Sequence, residues 1–363
     1  MKFKLPKSNL LEGLVAIQNV VSSRPTAAIL TNALITAEAD QLILTATDMD
    51  ITVRCTVAAD VELPGATTLP VRRLTSIIRE LPDAMIELEL DERDSTHIRA
   101  ESTFMKLLGI SAEEFPAVPT IEEGACYTLD KAVFADMLRK THYAASTDDS
   151  RAVLNGVLMN FADSKLTCVA TDGRRLALIE HEVEFPVEND RDVVLPSRAV
   201  SELMRILNGS GDLKIHLKDN QAIFEFDNVM VACKLVDGVY PNFRQVILSQ
   251  CDHRVTVVRE DLIKVLRRVT LFTTEKSNAM RLTFGDNNLV IVASSPDVGE
   301  AHDSVPIKYN GPKITAIFNP EFMMDPLRTL TSDDIYIELN DAMSPGLIKS
   351  DIPFMYVLMP LRI

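Results

Sequence analysis

At 363 residues the chain exceeds what one ordinary core sustains, and at roughly 100 to 200 residues per domain it predicts two or three domains. Its composition, 47% hydrophobic and 25% charged with no apolar run near the ~20 residues of a membrane helix, excludes a helical membrane protein and predicts a cytoplasmic one. Thirty-seven Lys and Arg against 52 Asp and Glu leave a formal charge of −15, which argues against nucleic-acid binding through a general cationic surface; any role on DNA must be local or topological.

In chain order, the polar residues that interrupt MKFKLPKSNLLEGL speak against a secretory signal. Amphipathic spacing predicts helices over 8–21, 71–81, 130–142, 197–207, 260–271 and 321–330, with strands between them, as in the alternation of Ile86, Leu88 and Leu90. Three landmarks recur at about a third of the chain length. The strand segments LILTATD, LTCVATD and LVIVASS carry Ala46, Ala170 and Ala293, spaced by 124 and 123 residues. Pro70, Pro196 and Pro320 each stand at the start of a predicted helix, where a missing N–H costs nothing. Pro116, Pro241 and Pro360 each close a third. The pattern predicts a triplicated α+β fold with antiparallel sheets and domains at 1–125, 126–252 and 253–363.

Charge repeats along with the fold. Leu74, Ile77, Ile78 and Leu81 make one apolar face, with Arg72, Arg73 and Arg79 on the remainder of the helix; Val200, Leu203, Met204 and Leu207 do the same beside Arg198 and Arg205. Arg139 and Arg267 hold similar places on the first helices of the later thirds. Helices set around a hole would bring these side chains to phosphates without reading bases.

Five widely spaced cysteines form neither a disulfide framework nor a zinc cluster, and are expected reduced and mostly buried. The six histidines are scattered, so no metal is expected; HExxH, Walker, GxSxG and GxGxxG motifs are absent, and NGSG at 208–211 reads as a helix stop and turn. Asp48 and Asp172, after equivalent strands, read as turn formers. The competing reading is a hydrolase with Asp172 as its carboxylate and Arg174 and Arg175 as anion binders.

The segments SSRPTAAILTNALI, LTATDMDI, LNGVLMNF, VATDGRRLA, DGVYPNFRQV and YVLMPLRI together resemble the bacterial DNA polymerase III β sliding clamp family, end to end and in its order. The resemblance implies a non-catalytic, cofactor-free processivity factor: a head-to-tail homodimer of three-domain subunits, with six domains in a ring, helices inside and sheets outside, encircling double-stranded DNA. It implies a pocket for short peptides of the replicative polymerase, the clamp loader, other polymerases and repair proteins. The matching positions are Leu154, Thr171, Gly173, Arg174, Arg175, Leu176, Pro241, Val246, Met343, Val357, Met359 and Pro360. It also implies DNA contact at Arg24 and a dimer seam at Phe104, Leu271 and Phe272. Arg174 stands where relatives often have His and Gln245 where many have Arg, so partner preference can differ; Ala152 and Val153 stand where some relatives carry tyrosines thought to touch DNA, a contact this chain lacks the tyrosines for. A clamp-like scaffold serving a different polymerase is the third reading.

Overall fold

The computed structural model describes residues 1–362 except 22–25, 122–124, 187–189, 249 and 276. Six α-helices fall among the described residues: α1 (Lys7–Ile17), α2 (Val71–Glu80), α3 (Lys131–Thr141), α4 (Ser197–Ile206), α5 (Arg259–Val269) and α6 (Pro320–Thr329). All six lie where amphipathic spacing predicts them. The first is shorter than expected: Gln18 caps it, and Val20 and Val21 reach the interior without helical backbone, each 2% exposed. Ile77 and Met204, expected on the buried stripes, are half-buried, while Thr75 joins Leu74 and Ile78 inside.

Every third repeats one pattern of strand pairing. A four-stranded sheet is built from a meander whose first strand also pairs with the strand that leads into a helix. In the first third Asn32–Glu38, Gln41–Thr47 and Ile51–Ala58 form the meander and Gly65–Pro70 closes it. The same role falls to Gly156–Ala162, Lys165–Thr171, Arg175–Glu182 and Arg191–Pro196, and to Met280–Gly285, Asn288–Ser295, Gly299–Lys308 and Ile314–Phe318. Ala46, Ala170 and Ala293 pair with Val53, Ala177 and Ala301 respectively, so the sequence repeat is also a register repeat. A second sheet follows in each third. Lys2–Pro6, Met85–Leu90, Ser95–Ala100 and Thr103–Leu108 correspond to Ala125–Asp130, Asp212–Leu217, Gln221–Phe226 and Val229–Lys234, and to His253–Val258, Asp334–Leu339, Gly346–Lys349 and Phe354–Leu358. Strands such as Asp334–Leu339 alternate and bury one face, while Gly156–Ala162 and Lys165–Thr171 are buried on both, giving a core rich in Ile, Leu, Val and Phe.

The chain packs as two compact units, because sheets run on from one third to the next. In the first unit (Met1–Val133 and Ser201–Leu235), Val229–Cys233 of the middle third pairs with Ile51–Cys55 of the first, joining eight strands. In the second (Phe134–Val200 and Val236–Ile363), Phe354–Leu358 of the last third pairs with Arg175–Ile179 of the middle one, joining twelve. The middle third therefore contributes its meander to one unit and its second sheet to the other.

Candidate functional site

Asp172 sets the local geometry of the second unit. As its strand ends, Asp172 Oδ1 accepts from the backbone N–H of Arg174 at 2.8 Å and of Arg175 at 3.1 Å, and Gly173 takes φ +87°. Asp48 repeats the motif, accepting from Asp50 N at 3.0 Å and Ile51 N at 2.8 Å. These are turn-forming carboxylates, as the sequence implies. Asp172 Oδ2 accepts in turn from Arg175 Nε at 3.1 Å, so both oxygens take part in holding the turn.

Arg175 points inward. Its guanidinium pairs with Asp325 on α6, donates to Tyr143 O at 2.6 Å and lies 4.1 Å from the centre of the Phe322 ring. Burial raises the pKa of both Tyr143 and Tyr356 beside it, so these phenols stay neutral. Arg174, by contrast, is exposed. Both arginines and Gly173 line a polar cleft of about 560 Å³ with Ser146, Asp148, Arg151 and Phe322.

The next strand residue, Leu176, pairs with Val357 of the last strand. The two belong to an apolar cluster with Leu158, Val169, Leu178, Val194, Phe243 and Leu347, edged by Val153, Val236, Tyr240 and Ile247. Met359 N donates to Arg174 O at 3.0 Å, which carries the terminal segment past the Asp172 turn toward Pro360. Thr171 Oγ1 accepts from Gly173 N at 3.1 Å, and Leu154 is half-buried. Pro241, Val246 and Met359 are exposed, the last two 44% and 41%. Met343, 54% exposed, sits in a turn held by Asp341. The structure thus joins Gly173, Arg174, Arg175, Leu176, Val357 and Met359 through one turn and one strand pair, next to a loop (residues 236–248) with apolar side chains.

Two strand edges are left over by the repeat. Thr103–Leu108 corresponds to Val229–Lys234 and Phe354–Leu358, yet among the described residues it pairs only with Ser95–Ala100, and it exposes Phe104 (58%) and Leu108 (69%). Gly299–Asp303 corresponds to Ile51–Cys55 and Arg175–Ile179, yet its outer edge has no strand partner among the described residues. The Phe272 ring lies against this edge at Gly299, and Leu271 is 73% exposed. Phe104 and Leu271 are therefore surface residues.

The three family models for the DNA polymerase III beta subunit match in succession: the N-terminal domain at residues 1–119, the central domain at 128–242 and the C-terminal domain at 244–362. The beta sliding clamp of Chlamydia muridarum is 33% identical over 363 residues, covering 100% of this chain and 99% of that protein. The chain belongs to the DNA polymerase III beta subunit family. Among solved beta clamps, that of Bartonella birtlesii bound to griselimycin superposes with a TM-score of 0.95 at 32% identity, and that of Bacillus subtilis with 0.96 at 29%; each covers 100% of this chain, and the chain covers 100% and 99% of them.

In this clamp-family chain the arginines expected to face DNA divide by local geometry. Arg73, Arg79 and Arg267 are exposed, and none forms an ion pair with a described residue. Arg139 is exposed, 3.4 Å from Asp136, and Arg198 is exposed at the start of α4. Arg72 donates to Val21 O at 2.9 Å. Arg205 is turned to structural work: it donates to Val15 O and Ala16 O, terminal carbonyls of α1, at 3.3 and 2.6 Å, and pairs with Glu202 at 2.5 Å. A cation at a helix C-terminus satisfies orphan carbonyls and the helix dipole together. Arg24 lies outside the described residues. Sequence reasoning missed Asp325, Phe322 and Tyr143, whose partner Arg175 is 150 residues from Asp325; no local pattern in the sequence signals a contact across that separation.

Proposed function

We propose that the chain is the processivity factor of a replicative DNA polymerase, a non-catalytic cytoplasmic protein whose three domains, 1–125, 126–252 and 253–363, associate head to tail with a second copy in a ring around duplex DNA. The observation that carries this reading is the pair of leftover strand edges. Within the chain the last strand of one third twice docks on the meander of the third before it; the two edges that lack such a partner are complementary, and a second copy supplies both. Carrying the register across sets Thr103 opposite Asp303, Phe104 opposite His302, Lys106 opposite Glu300 and Leu107 opposite Gly299, with Leu271 and Phe272 beside the join. A closed two-fold arrangement leaves no exposed sheet edge of this kind.

A ring also reconciles the charge of −15 with work on DNA, since retention by topology asks only for a weak inner field from residues such as Arg24, Arg73, Arg79, Arg139, Arg198 and Arg267. The Leu176–Val357 floor, with Val246, Met359 and Pro360, takes short apolar-ended peptides of the polymerase, the clamp loader and repair proteins. Burial pushes the thiols of Cys168 and Cys233 up to about 12, which makes them poor nucleophiles. The test is topological: placed on nicked circular DNA by its loader, the protein should survive gel filtration with the DNA and leave once the circle is cut. Equal retention on linear DNA would sink the reading.

A further inference from the structure

Beyond the Leu176–Val357 floor a second cleft of about 360 Å³ opens along the same two strands. Leu178 pairs with Met355, two residues from the Leu176–Val357 pair on each strand, and side chains two apart share a face of a sheet. One step farther, Glu180 N bonds Pro353 O at 3.0 Å. The cleft is therefore the continuation of the pocket floor along the strand direction, with Leu178, Phe243 and Ile247 common to the cleft and to the apolar cluster or its edge.

Ile352 and Ser350 also line it, and the Ser350 Oγ is buried with no hydrogen-bond partner among the described residues. Arg244 lines it as well. Its guanidinium stacks on Phe243 at 4.9 Å, its one side-chain hydrogen bond among the described residues is to Asn160 Oδ1 at 3.5 Å, and it pairs with no described carboxylate. The other cation here, Lys349, is held by Glu338 at 2.6 Å. The trough thus offers an apolar floor and, at its rim, an exposed guanidinium with no described carboxylate partner, which a ligand carboxylate can take up in a charge-assisted hydrogen bond.

We infer that this cleft is an extension subsite of the peptide pocket, taken by the same partner segment in extended conformation: one further apolar side chain two residues from a pocket anchor, accompanied by a carboxylate for Arg244. The spacing follows from geometry, since an extended chain advances about 6.6 Å in two residues, the step from Leu176 to Leu178. This rests on the docking role proposed for the pocket.

The test compares three fluorescent peptides: a core ending in Leu-Phe, and the same core lengthened at either end by a spacer, a leucine and a glutamate. One lengthened peptide should bind the wild-type protein about ten-fold more tightly than the core, the gain expected from burying one Leu-sized side chain less its ordering cost. Ile352→Glu and Arg244→Glu should each remove most of that gain and leave the affinity of the core unchanged. Arg244 is exposed, so its variant reports even where Ile352→Glu folds poorly. Lengthened peptides that bind no better than the core, or that keep their advantage in Arg244→Glu and in a folded Ile352→Glu, overturn the inference while the pocket stands. A core peptide that fails to bind at all overturns the pocket and the extension together.

Discussion

The guanidinium of Arg175 stacks on the ring of Phe322, 4.1 Å from its centre, while pairing with Asp172 and Asp325. One side chain thus ties the strand after the Asp172 turn to α6, with only 10% of its surface exposed. Removing it takes the shared cation from two carboxylates whose side chains are only 17% and 23% exposed.

Arg175→Ala should accordingly cost about 3–5 kcal/mol of stability, the range for breaking a buried pair from one side. Arg175→Lys should recover only part, because a point charge replaces neither the fork nor the stacking. Denaturant unfolding followed by tryptophan-free probes such as far-UV circular dichroism reads both. A loss under 1 kcal/mol in the alanine variant would mean the site relaxes or hydrates freely.

Acid should loosen the second sheet of the first third, where Asp60–Leu63 pairs with Lys2–Pro6. Glu62 is lowered to about 2 by hydrogen bonds from Lys2 and Lys4, and Glu89 is lowered by Arg99. Glu87 is lowered too: burial opposes the shift, but bonds from Lys4 and Arg99 outweigh it. Depressed carboxylates contribute stability that is full above their unfolded value of about 4.3 and lost as pH falls toward the folded one. Melting temperature should therefore fall between pH 4.5 and 2, and Glu62→Gln should flatten part of that fall. All these groups are solvated, so the effect should shrink in 1 M salt.

Docking should depend on the chain end. Met359→Ala with Pro360→Ala should weaken Leu-Phe peptides by about ten-fold, as expected for trimming one apolar wall, without changing the mass of the assembly. Unchanged peptide affinity in a calorimetric titration would displace the pocket from these residues.

Much of this was legible in the sequence. The three-fold repeat, all six helices, the turn roles of Asp48 and Asp172 and the stop at Gly209, which has φ +69°, follow from local patterns. What stayed hidden is non-local. The apolar run of Val229–Lys234 says that the strand is buried but not that Ile51–Ala58 is its neighbour, so the regrouping of three thirds into two packed units was out of reach. Arg205 shows the same limit. Its helical position matches Arg79, and only the approach of α1 turns it from a surface cation into a cap.

The seam register makes a charge prediction. Lys106 and Glu300, both exposed, come opposite one another across the join, where an opposite pair contributes roughly 0.2–1 kcal/mol and a like pair opposes by a similar amount. Lys106→Glu and Glu300→Lys should each raise the dissociation constant, by about ten-fold over two identical seams, and the double variant should recover most of the loss. Sedimentation equilibrium would decide; a double variant no tighter than the singles would put the two residues out of register.

The most direct measurement is the solution mass by light scattering at micromolar concentration. With a chain mass of 40.3 kDa, self-association through the edges at Thr103–Leu108 and Gly299–Asp303 predicts a species of twice that mass, lost on introducing charge at Phe104 and Leu271. A stable 40.3 kDa species at that concentration would leave both edges open and contradict the ring.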